Sequence, residues 1–581
     1  MPTSTCLWLR AEGIWISINR IPFPPRSFKY LPRTRVCSMN VERILNILRS
    51  ALRPIDAGIL LSSGVLCYLL FRRVRSRRYT SLRGPWSFNL LFGVLPKILG
   101  ADDPGDVYEE WASRYGSVFS VPAALGSRRV VITDPKTLAH FAARETYGYI
   151  GTPQSKRFQE KIIGKGLFWA EGDSHKRQRR ALNPAFTNAA IKNLTSIFFD
   201  SAYKAKAAWD ATLESGPQEG TIIEVQLWMN HISLDTIGLA GFSHDFGTLS
   251  GKTSTIATVF DSLGSKISFF DTVTLLLSFI FPIFARIPTP RRMMLNDLGK
   301  TMQSLGDRFL HTNTADSIRS DTLSGDKSVI GLLVKSASTE KISHDEVAAQ
   351  INVLLIAGYE TTSISLTWAL IELSRNPDMQ TKLRNEILSW GRDRDPTWEE
   401  LTAQGTFLDA FTCEILRVHP PLPELHRMAA EDDILPLTEP LMDAHGKQVE
   451  SVFVEKGTVV TLPIQCINRS EAFWGPDAKV FNPARWLDES HGVNQHRAQE
   501  IQGYRHMLTF SDGARICLGK VFAVTEFKAV LSVLLRHFIF ELPRGPDTVI
   551  GRHRNLLPRP KVEGEAGYEV PLRVRHYVGT E

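Results

Sequence analysis

A single cysteine stands where a loop is expected to turn into a helix. It belongs to the segment FSDGARICLG at 510–519, which an apolar-periodic run follows. Unpaired N–H groups and the helix dipole favour negative charge at such a position, so the sulfur of Cys517 is expected to be a thiolate. Gly513 and Gly519 leave room where the backbone passes something large and flat. Arg515 offers a fixed positive charge suited to a carboxylate.

This segment matches the heme-binding signature of the cytochrome P-450 superfamily, Phe-x-x-Gly-x-Arg-x-Cys-x-Gly. Five such fixed positions would arise by chance in this chain with a probability of roughly one in ten thousand. A lone cysteine is most often a buried structural residue, but the complete decapeptide favours the superfamily. The resemblance implies that Cys517 is the axial ligand of a heme b iron and helps to cleave an O–O bond. It also implies that Phe510, Gly513, Arg515 and Gly519 bind the cofactor.

A long helix carries a second group of residues that could do chemistry. It is expected to begin at the capping box SHDE over 343–346 and to end at Asn376. A glycine and two threonines within AGYETT, residues 357–362, cost stability and favour a local kink. This hexapeptide resembles the family's oxygen-groove motif, which implies that Thr361 and Glu360 are catalytic and that Glu360 relays protons from solvent. A kinked core helix is the alternative.

The resemblance assigns further basic residues to the heme propionates. The family's Trp-x-x-x-Arg pair corresponds to His175 and Arg179, which share a helix face because they lie four residues apart. Histidine can donate the same hydrogen bond as tryptophan. Arg427 fits the family's second propionate-binding arginine. Lys176 and Arg177 are expected to face an acidic redox partner, although a solvated basic helix face is the alternative.

A third helix carries Glu414 and Arg417 three residues apart. Pairs at this spacing are most often exposed salt bridges of small value. In the family, a Glu-x-x-Arg pair here is tied to a later arginine, which corresponds to Arg485 in the segment FNPARW at 481–486. The resemblance therefore implies a structural triad that does no chemistry.

One glycine-containing loop allows a different class of function to be tested. The segment GTLSGKT at 247–253 resembles a phosphate-binding loop. Such a loop needs four residues between its glycines, and this segment has three. A surface loop is therefore expected here. Because the phosphate-binding motif is incomplete, a nucleotide-binding protein is only a remote alternative, as is a non-enzymatic membrane protein.

The N-terminal region differs in composition from the rest of the chain. Residues 1–38 are basic and contain prolines, so they form an uncertain extension: a transit peptide and an over-extended gene model both remain open. A charge-free run at 57–71 is shorter than the ~20 residues that span a bilayer comfortably, and five arginines follow it within 72–78. A cleaved signal peptide is disfavoured because these arginines lie on the wrong side. Residues 39–83 are thus predicted to be an anchor and linker, with the catalytic domain at 84–581 in the cytosol.

Overall composition is that of a globular protein. The chain has 581 residues, 43% of them hydrophobic, and a net charge of +7. This mild excess of positive charge fits an anionic membrane surface or an acidic partner at least as readily as nucleic acid. We do not expect nucleic acid as a partner. The six cysteines are scattered, which indicates a reducing compartment and argues against a disulfide framework or a zinc site.

These patterns together predict a mainly α fold with smaller β-sheets, the cytochrome P-450 fold, on a single-pass anchor in the endoplasmic reticulum. The expected activity is a heme-thiolate monooxygenase that inserts one atom of O₂ into an apolar terpenoid, steroid or fatty-acid-like molecule. Pocket residues are expected from 149–168, 276–287, 421–426 and the start of the long helix. An isomerase or dehydratase that does not use O₂ is the nearer alternative.

The electron supply is expected to come from a second protein. No nicotinamide or flavin fingerprint is evident in the sequence. The resemblance therefore implies an NADPH-cytochrome P-450 reductase as the donor, with cytochrome b5 as a second candidate. Secondary metabolism is the expected setting.

Overall fold

The computed structural model describes most of the chain beyond the predicted anchor. The described residues are 62–64, 80–101, 103–254, 256, 268–280, 284, 286–319, 328–337, 340, 342–487, 496–565, 567 and 569–579. The chain divides into two units, Met1–Cys67 and Tyr68–Glu581. Within the first unit only 62–64 are described, and they are helical. The predicted extension 1–38, and the predicted span and linker apart from 62–64 and 80–83, therefore lie outside the described residues.

Helices dominate the second unit, and Ser, Thr or Asp side chains cap many of them. In chain order they are α1 Leu95–Gly100, α2 Pro104–Tyr115, α3 Pro135–Arg144, α4 Pro153–Ile162, α5 Gly172–Leu182, α6 Asn188–Glu214, α7 Val225–Phe242, α8 Phe269–Ile280, α9 Pro290–Arg319, α10 Val329–Ala337, α11 His344–Arg375, α12 Pro377–Ser389, α13 Trp398–Thr402, α14 Phe407–Val418, α15 Ile464–Arg469, α16 Glu471–Trp474 and α17 Lys520–His537. The prediction of a mainly α fold is confirmed.

The strands form small sheets between these helices. They are β1 Val118–Pro122, β2 Arg128–Ile132, β3 Tyr149–Ile150, β4 Thr221–Glu224, β5 Leu425–Ala429, β6 Asp433–Met442, β7 Gln448–Val454, β8 Val459–Leu462, β9 Phe538–Glu541, β10 Ile550–Arg554, β11 Pro558–Val562 and β12 Pro571–His576. One sheet has the order β1-β2-β8-β5-β3, another β4-β12-β9, and β6-β7 and β10-β11 are two-stranded. Strands β2 and β8 pair in parallel within the first of these sheets.

Helix α11 lies in the hydrophobic core. It begins with the predicted capping box at Ser343 and ends before Asn376. Among the described residues it is the one helix long and apolar enough to cross a membrane, but 78% of its apolar window is buried. Burial on that scale is typical of a core helix, and its flanks carry the polar caps of a soluble domain.

The predicted kink does not interrupt α11, which runs as unbroken α-helix from His344 to Arg375. Two local features explain the unusual residues at its centre. The Thr361 hydroxyl donates to the Ala357 carbonyl at 2.7 Å, a common bond of helical threonine. A Cβ atom at Gly358 would lie 2.8 Å from the side chain of Ile237, so glycine lets α7 approach closely.

The structure brings together the three residues of the predicted triad. Arg417 donates to both carboxylate oxygens of Glu414 at 2.7 and 2.8 Å, and Arg485 Nε lies 3.6 Å from Glu414 Oε1. Burial by itself would raise the pKa of Glu414, but the two arginines lower it below its ordinary value. Arg485 also pairs with Asp477 at 2.8 Å. These contacts fasten the segment after α16 to α14.

The rejected phosphate-binding loop has an internal partner. The backbone N–H groups of Thr248 and Leu249 donate to the carboxylate of Asp235 at 3.1 and 3.0 Å. Asp235 is fully buried on α7. The loop amides that could bind an anion are thus already satisfied by the chain itself.

Candidate active site

The loop before α17 holds Cys517 by its own backbone. The Cys517 N–H donates to the Phe510 carbonyl at 2.8 Å, and Gly519 is the N-cap residue of α17. Gly513 has a φ of +65°, and a Cβ atom there would lie 2.4 Å from the Ala142 carbonyl oxygen. Only glycine satisfies both conditions. The predicted position of the sulfur at a helix N-terminus is therefore what the structure shows.

The charge state of this sulfur does not follow from helix position alone. Burial raises the pKa of the Cys517 thiol, while the N–H of Gly519 and the charges of Arg179 and Lys520 act to lower it. Burial has the larger effect, so the thiolate expected from the sequence needs a further positive charge. A metal ion supplies one, because a coordinating thiol is deprotonated outright.

Four predicted cofactor-binding residues meet around the cysteine loop. They come from α5, β5 and the loop itself: His175, Arg179, Arg427 and Arg515. Arg179 donates to the Ile516 carbonyl at 2.5 Å. Burial, and then the charges of the three arginines, lower the pKa of His175 to about 3. His175 is therefore neutral at physiological pH and acts as a hydrogen-bonding group.

Two glutamates accompany these arginines, and the sequence reasoning missed both. Glu145 accepts from Arg427 at 2.9 Å and lies 4.0 Å from Arg515. Glu171 pairs with Arg515, which also donates to the Ala170 carbonyl at 2.5 Å. Glu145 directly follows α3 and Glu171 directly precedes α5. No local pattern marks either residue, because their role depends on distant arginines.

These residues fit a heme. The side chain of Cys517 is exposed to solvent although its surroundings raise the pKa of the thiol, so the sulfur lies deep and faces an opening. The Nε atom of Arg515 is buried without a hydrogen-bond acceptor among the described residues. Among the described residues, a Cβ atom at Gly519 would come within 4 Å of Phe186 alone, at 3.7 Å. The protein therefore leaves space on this side of the cysteine loop. An iron for the sulfur and carboxylates for the arginines would satisfy these groups.

The two predicted catalytic residues of α11 differ in environment. Thr361 is partly exposed within an otherwise buried stretch. Glu360 is 1% exposed, and its Oε1 atom accepts from Arg559 Nε on β11 at 3.0 Å. The Glu360 carboxylate is enclosed and ion-paired, so the proton relay from solvent that the sequence predicts would have to pass through another group. Arg559 is a further residue of the site that the sequence reasoning missed.

Comparison with known proteins agrees with this geometry. The chain matches a family model described as cytochrome P-450 over residues 83–564. Cytochrome P-450 monooxygenase claQ of Ampulloclitocybe clavipes is 54% identical over 517 residues, which cover 88% of this chain and 96% of the relative. Cytochrome P-450 monooxygenase claP of the same organism is 55% identical over 518 residues, with the same coverage. Cytochrome P-450 monooxygenase 205 of Postia placenta is 31% identical over 516 residues, 86% of this chain and 93% of the relative.

The chain belongs to the cytochrome P-450 family. It is a P-450 monooxygenase, and its cofactor is heme with an iron bound by a cysteine thiolate. In this P-450 the signature cysteine is Cys517. Membership also implies a redox partner and a small-molecule substrate.

Part of the predicted docking surface of this P-450 serves another purpose. Arg177 donates to both carboxylate oxygens of Glu346 at 3.0 and 2.5 Å. Glu346 closes the capping box of α11. Hydrogen bonds from Arg177, Ser343 and Gln178 outweigh partial burial and lower the pKa of Glu346 to about 2. Arg177 therefore anchors α5 to α11, whereas Lys176 is exposed and remains a candidate contact for a partner.

We expect Arg177→Gln to lower the free energy of unfolding by about 1 kcal/mol. The expected effect is small because solvent screens the partly exposed Arg177–Glu346 ion pair. The folded pKa of Glu346, about 2, lies below its ordinary value of 4.5. Its stabilisation is therefore present above pH 4.5 and lost as pH falls toward 2. Chemical denaturation should show that the difference between wild type and variant shrinks over this range.

Lys176→Gln is the matched control and should leave stability unchanged. If instead Arg177→Gln kept full stability and only weakened reductase-supported turnover, Arg177 would be a docking residue as the sequence suggested.

Proposed function

We propose that this P-450 inserts one atom of O₂ into an apolar small molecule and reduces the other atom to water. The observation that carries the proposal is the accessible sulfur of Cys517 with His175, Arg179, Arg427 and Arg515 gathered around it. A neutral imidazole and three guanidinium groups suit the carboxylates of a heme. When bound, heme supplies the oxygen-activating chemistry.

The chain's own residues have distinct parts in this activity. Cys517 donates electron density from its sulfur. His175 and the arginines hold the carboxylates, and Phe510, Gly513 and Gly519 shape the loop beside the ring. Glu414, Arg417 and Arg485 brace α14 and take no part in chemistry.

Thr361 and Glu360 are proposed to manage protons. The Thr361 hydroxyl is partly exposed at the centre of α11 and can turn from the Ala357 carbonyl toward a water molecule or a reacting oxygen. Oxygen activation consumes protons, so a hydroxyl that positions a proton donor raises the fraction of oxygen that reaches product. Glu360 passes protons toward Thr361 from inside the protein.

The substrate is proposed to be apolar and of appreciable size. Within the predicted pocket segments, Phe168 is 42% exposed and Leu422 is 39% exposed, as expected for apolar residues that face an opening. Terpenoid, steroid and fatty-acid-like molecules remain the candidate classes. Several relatives at 49–55% identity occur in the one organism Ampulloclitocybe clavipes, which supports a role in secondary metabolism.

An NADPH-dependent flavoprotein reductase is proposed as the electron donor, with cytochrome b5 as a second one. Lys176 is exposed, and Lys520 lines part of a cleft of about 230 Å³ beside the start of α17. Cations in these places would attract an acidic protein. We further propose that 57–71 anchor the domain 84–581 on the cytosolic side of the endoplasmic reticulum.

Cys517→Ser tests the proposed ligand. The variant should still be expressed, but its reduced CO complex should lose the absorption band typical of a thiolate-bound heme. Cys466→Ala is the control, since it removes the sulfur of a different, buried cysteine, and should keep the band. A thiolate-type spectrum in Cys517→Ser would place the ligand elsewhere.

Thr361→Ala should keep the heme spectrum and substrate binding and consume NADPH at a comparable rate. Most of that flux should appear as hydrogen peroxide rather than product, because the hydroxyl that positions protons is gone. Parallel assays of NADPH, peroxide and product measure this partition. Thr362→Ala is a neighbouring control expected to stay coupled. Full coupling in Thr361→Ala would contradict the proposed role of its hydroxyl.

Removal of residues 1–78 should shift much of the protein from the membrane to the soluble fraction, because the charge-free run 57–71 is lost. Some peripheral binding is expected to persist, since Trp86 and Phe88 are 70% and 87% exposed. Fractionation after an alkaline wash measures the shift. Complete retention in the membrane would contradict a single anchor at 57–71.

A further inference from the structure

The enclosure of Glu360 raises the question of how a proton reaches it. Its carboxylate accepts from Arg559, and the two side chains are 2% and 0% exposed. Arg559 belongs to the hairpin β10–β11. A guanidinium does not release its proton under physiological conditions, so Arg559 can orient the Glu360 carboxylate but cannot supply it with protons. A titratable group beside this pair is therefore needed.

His553 occupies that position in the hairpin. It lies directly opposite Arg559 in the antiparallel register of β10 and β11. Directly opposed residues send their side chains to the same face, with Cβ atoms about 4.5–5.5 Å apart. His553 is partly exposed, whereas Arg559 and Glu360 are buried. The imidazole thus lies between solvent and the buried ion pair.

The surroundings of His553 are polar. Asn555, which follows β10 two residues after His553, has buried amide nitrogen and oxygen atoms without a hydrogen-bond partner among the described residues. Buried polar atoms of this kind are usually satisfied by ordered water. The charged groups that act on His553 are Arg559 and Lys561 on β11, and Arg559 is in turn paired with Glu360 of α11. Burial and the two cations lower the pKa of His553, so its proton is readily given up.

We propose that His553 is the group through which protons enter from solvent toward Glu360, and that Arg559 is the positioning residue that aims the Glu360 carboxylate. This inference rests on the proposed monooxygenase function and deepens it. In each passage the His553 imidazolium loses one proton toward Glu360, directly or through a water held near Asn555. Glu360 passes one proton on toward Thr361, and His553 regains one from solvent, so no net charge accumulates.

The test compares His553→Gln with wild-type holoenzyme. Glutamine keeps a polar side chain but cannot exchange a proton at neutral pH. We expect NADPH-driven product formation to fall at least about tenfold, below the ~10²-fold loss typical of a directly acting acid or base. The solvent deuterium isotope effect on this rate should increase. Turnover driven by added hydrogen peroxide should stay unchanged, because that oxidant brings its own protons.

His445→Gln is the matched control, because His445 is an exposed histidine in the turn between β6 and β7. It should change neither rate nor isotope effect. Arg559→Lys, which keeps the charge, should retain more activity than Arg559→Gln at equal heme content. An unchanged isotope effect and rate in His553→Gln would overturn the proposal.

A second measurement does not depend on turnover. In protein with labelled histidine, NMR titration of His553, assigned by its loss in His553→Gln, should show a lower pKa in Glu360→Gln. Removal of a neighbouring carboxylate destabilises an imidazolium. The same pKa in both proteins would overturn the proposed proximity of His553 to Glu360. If wild type itself formed no product with NADPH and O₂, the monooxygenase proposal would fail. If wild type formed product and His553→Gln behaved like it, the role of His553 alone would be overturned.

Discussion

The structure depends on the burial of several positive charges around one sulfur. Burying a charge is costly unless it is paired, and here Arg179, Arg427 and Arg515 converge on the loop that carries Cys517. Glu145 and Glu171 offset part of this charge, and backbone carbonyls take up more of it. The positive charge that remains suits an anionic cofactor. The same charge helps to stabilise a thiolate that burial would otherwise protonate.

Several helices and strands position these charged side chains around the loop that carries Cys517. Helix α5 contributes a neutral histidine and an arginine from one face, β5 contributes another arginine, and α17 begins just after the sulfur. Helix α11 is fixed at its start by the Arg177–Glu346 contact and at its centre by the Glu360–Arg559 pair. Both contacts join residues far apart in sequence. They couple the proton-handling part of α11 to α5 and to the C-terminal hairpin.

Sequence alone predicted the parts of this site that are encoded locally. The decapeptide around Cys517, the capping box of α11 and the Glu414–Arg417 spacing depend on neighbours along the chain, and each appears where it was expected. The enclosure of Glu360 and the true partner of Arg177 could not be predicted, because Arg559 and Glu346 approach only through tertiary packing. The packing role of Gly358 could not be predicted for the same reason, because its neighbour Ile237 lies on another helix.

The central claim is that Cys517 supplies the sulfur that binds the heme iron, and one spectroscopic measurement tests it directly. A chain of residues 79–581 with Cys413→Ala and Cys466→Ala retains Cys517 as its one cysteine. Iron X-ray absorption on this protein, loaded with heme, identifies the atoms bound to the metal. The account predicts one sulfur in the coordination shell of the iron. A shell of nitrogen and oxygen atoms alone would contradict it.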